Sequence, residues 1–280
     1  MDKRIVTSDG MAKFQAYLQE EERSKATIEK YMRDVRYFAS FIGEGEIDKQ
    51  IVMAYKNKLG AEYAPTSANS MLAALNSFLR FCGWQELCVR RFRIQRQAYC
   101  SEDKELTRAE YVRLIEAAKG NHNERLSLII QTICGTGIRV SELQYITVEA
   151  VLRGEAVVNC KGKNRRIFIV SSLRKKLLRF IKERKICSGT VFITRGGKPV
   201  SRNNVWKEMK SLCEQAGVTQ TKVFPHNLRH LFARTFYAME KDIAKLADIL
   251  GHASINTTRI YMITTGAEHR NKMERMKLVI

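Results

Sequence analysis

The stretch FPHNLRHLFA, residues 224–233, sets His226, Arg229 and His230 within one and a half helical turns. Two chemistries suit residues of these types at this spacing. Histidines four apart on a helix can share a zinc ion, but the zinc-protease pattern needs Glu where this chain has Asn227, and Arg229 repels a dication. No metal is expected. An anion suits them better, because Arg229 offers a planar donor fork to phosphate oxygens and His226, three residues back, lies on the same helical face. A structural arginine beside a hydrogen-bonded histidine would leave the same trace, so the phosphate reading needs partners elsewhere.

Three further stretches supply them. In GTGIRVSEL, 135–143, Gly135 and Gly137 permit a close approach before a helix starting near Arg139, and Glu142 is placed to orient the Arg139 guanidinium. A buried structural ion pair is the alternative. EAVVNC, the turn KGKN and RRIFIV, together 155–170, read as a β-hairpin with Gly162 in its turn. Lys161 and Lys163 there are solvated loop residues or, with a pKa lowered by neighbouring cations, proton donors to a leaving group. In ILGHASINTTRIYMI, 249–263, Gly251 allows a helix to stop, His252 follows, and Tyr261 lies on a short second helix. Taken singly, Tyr261 would be packing.

The elements that position these residues fall into two sets. Residues 1–87 read as helices only: KFQAYLQEEER, TIEKYMRDVRYFASFIG, IDKQIVMAYKNKLG and PTSANSMLAALNSFLRFCGW. In the second, Ile28, Tyr31, Val35, Phe38, Ala39 and Ile42 form one apolar stripe, with Thr27 as its expected cap and Gly43 as its stop. Residues 88–103 lose periodicity, carry Arg90, Arg91, Arg93 and Arg96, and read as a basic linker. LTRAEYVRLIEAA opens a second domain, 104–280, with a capping box at Thr107 and Glu110. The expected class is mainly α with one small antiparallel hairpin in the C-terminal domain.

Charge names the partner. The 280 residues hold 49 Lys and Arg against 29 Asp and Glu, a net of +20. Such an excess points to a polyanion, nucleic acid before an anionic membrane surface. Residues 101–280 carry most of it, with 33 basic and 17 acidic residues. No run approaches the roughly 18–20 apolar residues needed to span a bilayer, and the polar start MDKRIVTSDG has no apolar signal segment, so an intracellular, cytoplasmic protein is expected. The seven cysteines are scattered without a CxxC, as for reduced, packed thiols.

With these stretches in this order, the sequence resembles the tyrosine recombinase or phage integrase family, above all its Xer-type and transposon-type members. The resemblance rests on GTGIRVSEL, KGKNRR, HNLRH and LGHASINTTRIY and covers nearly the whole chain. It implies a two-domain, C-shaped clamp: a SAM-like helical core-binding domain, 1–87, and a catalytic domain, 104–280, ending in a tail helix. It implies that Tyr261 attacks a DNA phosphodiester to give a 3′-phosphotyrosyl link, that Arg139 and Arg229 hold the non-bridging oxygens, that His226 assists proton removal and that His252 donates to the same phosphate. Lys161 aligns with the family's general acid and Lys163 is the second choice, while Glu142 supports Arg139. Lys163, Arg165, Arg166, Arg91 and Arg93 are expected to contact DNA. Two departures concern the hairpin's conformation: Cys160 replaces a common Gly and Ile169 a common Pro.

The implied activity is site-specific recombination of double-stranded DNA without metal, ATP or other cofactor, by a tetramer on two sites, with accessory proteins as possible partners and a nucleoid-associated location. Two other readings use the same residues. A type IB topoisomerase-like enzyme would relax DNA as a monomer, and a non-catalytic DNA-binding regulator would have no use for Tyr261.

Overall fold

A computed structural model describes residues 4–43, 45–94, 104–160, 163–262, 270 and 273–277. The chain divides into two units, Met1–Arg96 and Gln97–Ile280.

The first unit contains α1 (Ser8–Glu20), α2 (Lys25–Ile42), α3 (Lys49–Glu62) and α4 (Pro65–Phe81). Thr7, Ser24 and Asp48 accept backbone N–H bonds at the starts of α1, α2 and α3, and Pro65 opens α4. The cap of α2 is therefore Ser24 rather than Thr27. Three residues separate them, and Ser24 accepts the Thr27 N–H at 3.3 Å, which adds most of a turn to the helix. Gly43 ends α2 with φ of +63°. The expected stripe delivers Val35 and Phe38 to the core, and Met32 joins them. Buried Asp34 is answered by Lys30 at 2.5 Å and by Arg33. Of the basic connector expected over 88–103, residues 88–94 lack regular structure yet are tied to α4. Asn76 brackets Val89 with bonds of 2.8 and 3.0 Å, and Asn69 does the same for Phe92 at 2.9 and 2.7 Å. Residues 95–103 lie outside the described residues.

The second unit is built round α6 (Glu124–Thr136), which buries Leu126, Leu128, Ile129, Ile130 and Ile133 on nearly every side, as a helix does when neighbours surround it. It packs between α5 (Arg108–Gly120), which starts with the expected Thr107–Glu110 capping box, and the later helices. A 3₁₀ segment Val140–Tyr145 stands where a full helix was expected after Arg139, followed by α7 (Val148–Arg153). Next come β1 (Glu155–Cys160) and β2 (Lys163–Phe168), antiparallel, with Ala156 opposite Ile167 and Val158 opposite Arg165. Ala156, Val158, Ile167 and Ile169 face the core. The Ile169 N–H bonds to Gly154 O at 2.9 Å, a bond that a proline there could not donate. Strand β2 starts two residues earlier than the sequence suggested, so Lys163 pairs with Cys160 instead of lying in the turn. The remaining helices are α8 (Ser171–Glu183), α9 (Arg202–Ser211), α10 (Cys213–Ala216), α11 (Pro225–Glu240), α12 (Ile243–Leu250) and α13 (Ile255–Arg259). Among the described residues, no helix is long and apolar enough to cross a membrane.

Candidate active site

The site assembles where α6 ends. Gly137 closes that helix with φ of +67°, a conformation that a side chain strains. A Cβ added there would also meet the Phe232 ring at 2.5 Å. Glycine therefore lets α11 lie directly over the end of α6. Gly135 has no such need, because a Cβ there meets only Leu173 at 3.8 Å.

This close approach seats Arg229. Its side chain is almost fully buried and donates to Gly137 O at 2.5 Å and Leu250 O at 2.7 Å, the last carbonyls of two helices. Both carry the negative end of a helix dipole, which compensates a buried cation. Burial and Arg139 lower the Arg229 pKa to about 10, while contact with Tyr261 opposes the shift. At neutral pH the guanidinium stays charged.

Arg139 precedes the 3₁₀ segment and is fixed by Glu142, which is 1% exposed. One Glu142 oxygen accepts Arg139 Nη1 at 2.8 Å; the other accepts the Arg139 N–H at 2.8 Å and Arg165 Nη2 at 2.5 Å. Glu142 thus orients Arg139 and also ties strand β2 into the site. Arg165 was expected at the DNA surface, but its side chain is only 11% exposed and also donates to Ile249 O at 2.8 Å. Its inward turn is set by Gly251, where a Cβ would meet Arg165 Cδ at 2.8 Å. Two guanidiniums, Arg139 and Arg165, share the Glu142 carboxylate and Arg229 lies beside them, so the cluster keeps a positive surplus suited to an anion.

Tyr261 is 5% exposed, in a short 3₁₀ turn after α13. Its ring centre lies 4.3 Å from His230, 5.6 Å from His252 and 5.9 Å from His226, and the His252 ring lies parallel within 6°. His226 keeps an open face, yet protein packed round the rest of the ring, with Arg229, Arg139 and Arg202, lowers its pKa. Burial and neighbouring cations push His230 and His252 down to about 4. All three imidazoles are therefore neutral at pH 7. His230, which first suggested a metal, packs edge-on against both Tyr261 and His226. Among the described residues, no group of three His, Cys, Asp or Glu side chains could hold a metal ion.

Arg139, Glu142, His226, Arg229, His252 and Tyr261 are thus brought together from four separate parts of the chain. Arg166 stays exposed on the outer face of the hairpin, 3.9 Å from Glu155, and Arg91 and Arg93 are exposed in the first unit. Lys161 and the side chain of Lys163 lie outside the described residues, as does most of the tail after Met262. Sequence reading missed two participants: Arg165 as an internal partner of Glu142, and Thr258, fully buried with its hydroxyl 2.8 Å from His252 Nδ1. Neither has a local signal, because both contacts depend on elements that meet only in the fold.

Comparison with known proteins matches residues 104–267 to the phage integrase family and residues 11–86 to the phage integrase N-terminal SAM-like domain. The tyrosine recombinase XerA of Pyrococcus furiosus is 30% identical over 292 residues, covering 100% of this chain and 98% of that protein. The tyrosine recombinase XerD of Halalkalibacterium halodurans is 27% identical, with 89% and 90% covered. Among solved structures, XerA recombinase aligns over 98% of this chain and 100% of that one, at 25% identity and a TM-score of 0.55. A lambda integrase dimer bound to a COC′ core site aligns over 91% and 94%, at 17% identity and a TM-score of 0.75, a likeness of fold alone.

Proposed function

This chain belongs to the phage integrase family of tyrosine recombinases, enzymes that cleave and rejoin DNA strands, and we propose from that premise that Tyr261 is its nucleophile in site-specific recombination. The Tyr261 oxygen forms a bond to the phosphorus of a DNA phosphodiester and the bond to the 5′ oxygen breaks, leaving a 3′-phosphotyrosyl link. His226 takes the phenol proton, which its lowered pKa allows because the neutral ring has a free lone pair at pH 7. Arg139 and Arg229 hold the non-bridging oxygens, where charge grows as the phosphorane-like state forms, and His252 adds a further donor. Lys161, or Lys163 as the second choice, protonates the departing 5′ oxygen. The covalent link conserves the energy of the phosphodiester, so the hydroxyl of a second strand can reverse the step and reseal without ATP.

The observation that carries this reading is the gathering of three neutral imidazoles and the Arg229 guanidinium round one buried tyrosine. A tyrosine packed only for stability has no need of three neutral imidazoles and a buried guanidinium around it. We assign DNA binding to both units, with the boundaries 1–87 and 104–280, and Arg91, Arg93, Lys163 and Arg166 to phosphate contacts that give salt-sensitive affinity. Paired strand exchanges need four protomers on two sites, and the tail after Tyr261 is assigned to contacts between them.

A nicked duplex carrying a site enriched from a random-sequence library tests the assignment. Cleavage opposite the nick lets the short fragment diffuse away and traps the covalent complex. Wild type accumulates a DNA adduct resistant to denaturant, and Tyr261→Phe accumulates none. An equal adduct with Tyr261→Phe removes the nucleophile assignment. Site binding by wild type with no adduct marks a DNA-binding regulator, and relaxation of supercoiled plasmid without exchange between sites marks a topoisomerase.

A further inference from the structure

His252 is held from both sides. Its Nε2 lies 3.0 Å from Arg229 Nη2, and its Nδ1 lies 2.8 Å from the hydroxyl of Thr258 in α13. A guanidinium only donates, so Nε2 accepts and carries no proton. The neutral ring therefore keeps its proton on Nδ1 and donates it to Thr258 Oγ1. The charged groups facing the ring agree with a neutral form. Arg229 and His226 approach from α11, Arg139 from before the 3₁₀ segment and Arg165 from β2. Among the described residues, the Glu142 carboxylate is occupied by Arg139 and Arg165.

That tautomer cannot serve the reaction proposed above. With a bare Nε2, His252 offers a lone pair rather than a proton to a phosphate oxygen. Once Arg229 turns an N–H toward the phosphate, Nε2 has lost its donor and has to become one. The ring is only half-buried, so as it swings off Thr258 its Nδ1 releases a proton to water and Nε2 takes one up; the ring stays neutral and the exchange balances. Nδ1 then becomes an acceptor, and its partner has to donate. A hydroxyl does both by rotating about its C–O bond, whereas a carbonyl only accepts and an amide N–H only donates.

We infer that Thr258 is a positioning residue for the recombination reaction: its hydroxyl reverses from acceptor to donor as a phosphate arrives, converting His252 from a partner of Arg229 into a donor to the scissile phosphate. The catalytic consequence rests on the function proposed above, whereas the free-state tautomer does not. Burial of Thr258 at 0% exposure keeps water from substituting for the hydroxyl.

Two measurements test the inference. Imidazole-¹⁵N histidine labelling of the full chain, with His252→Gln to assign the signal, reads the tautomer without DNA. Wild type and Thr258→Ser show His252 protonated at Nδ1 and bare at Nε2; a proton on Nε2 in the free wild type overturns the inference. The second measurement is the rate of adduct formation on saturating nicked duplex. Thr258→Val keeps the shape and loses the hydroxyl, so cleavage falls about 10–100-fold, the usual cost of losing an orienting bond behind a working imidazole, while DNA affinity is unchanged. Thr258→Ser loses a methyl, keeps the hydroxyl and cleaves within about twofold of wild type. A packing role predicts the opposite order, so serine as slow as valine, or valine as fast as wild type, overturns the proposal. In a His252→Ala background the valine change adds nothing; additive losses count against it. Full cleavage by His252→Ala alone removes the phosphate role of His252 and leaves the tautomer result standing.

Discussion

Replacing Glu142 tests how far the site depends on one buried carboxylate. The group is 1% exposed and accepts from Arg139 Nη1 at 2.8 Å, the Arg139 N–H at 2.8 Å and Arg165 Nη2 at 2.5 Å. Glu142→Ala removes the carboxylate to which Arg165, only 11% exposed, donates at 2.5 Å. Breaking a buried pair in this way costs about 3–5 kcal/mol. Glu142→Gln keeps the shape and one acceptor oxygen but weakens bonds to charged donors worth about 1.5–3 kcal/mol each, so about 2–3 kcal/mol is expected. For a unit of this size, 1 kcal/mol moves the melting point by about 2–4 °C, so Glu142→Ala should melt about 10–15 °C lower and Glu142→Gln about 5–10 °C lower. The assay is thermal unfolding of the full chain by circular dichroism, with Glu155→Gln as control. Glu155 lies 3.9 Å from a largely exposed Arg166, and its loss should cost less than about 1 kcal/mol. Added salt should shrink the control's effect further and leave that of Glu142 in place. Glu142→Ala melting within about 3 °C of wild type would show instead that Arg165 finds water or another partner at little cost, and that the buried carboxylate does not hold the site.

Other perturbations follow from the same geometry. Gly137→Ala combines a strained positive φ with a 2.5 Å approach to Phe232; it should lower stability by about 2–4 kcal/mol and slow adduct formation through a displaced Arg229, measured by denaturant unfolding and by trapping. The folded pKa of His230, about 4, lies below its unfolded value, so its contribution is complete above roughly pH 6.5 and is lost as pH falls toward 4. Thermal melts from pH 7.5 to about 4.5 should show a shallower acid loss for His230→Gln than for wild type. Asn76→Leu leaves the Val89 N–H and C=O without their 3.0 and 2.8 Å partners; the first unit should lose about 2–3 kcal/mol and residues 88–92 should exchange amide hydrogens faster.

Much of the site was legible because its signals are local. HNLRH set His226 and Arg229 on one face, the stop at Gly251 needed only a positive φ, and the Thr107–Glu110 box closed within three residues. Where two local solutions competed, the pattern was ambiguous: Thr27 and Ser24 both suit a cap, and only the helix length favours Ser24. Likewise the alternation in the hairpin announced two strands, but their register places Lys163 opposite Cys160, two residues before the expected start of β2.

Local pattern was therefore enough for the parts: a basic, mainly helical chain with two units, one hairpin and the residue types of a phosphate site. Tertiary structure decided which of several chemically equal residues became internal. Arg165 and Arg166 are neighbours of the same type, yet one reaches across 84 residues to Ile249 O and pairs with Glu142, while the other stays in solvent. Strand alternation sends adjacent side chains to opposite faces, and only the packing of α12 and the 3₁₀ segment gives the inward face its carboxylate and carbonyl. Thr258 follows the same rule. Its hydroxyl acquires meaning only when α13 returns to His252, because a hydrogen bond depends on position in space and a sequence records only order along the chain.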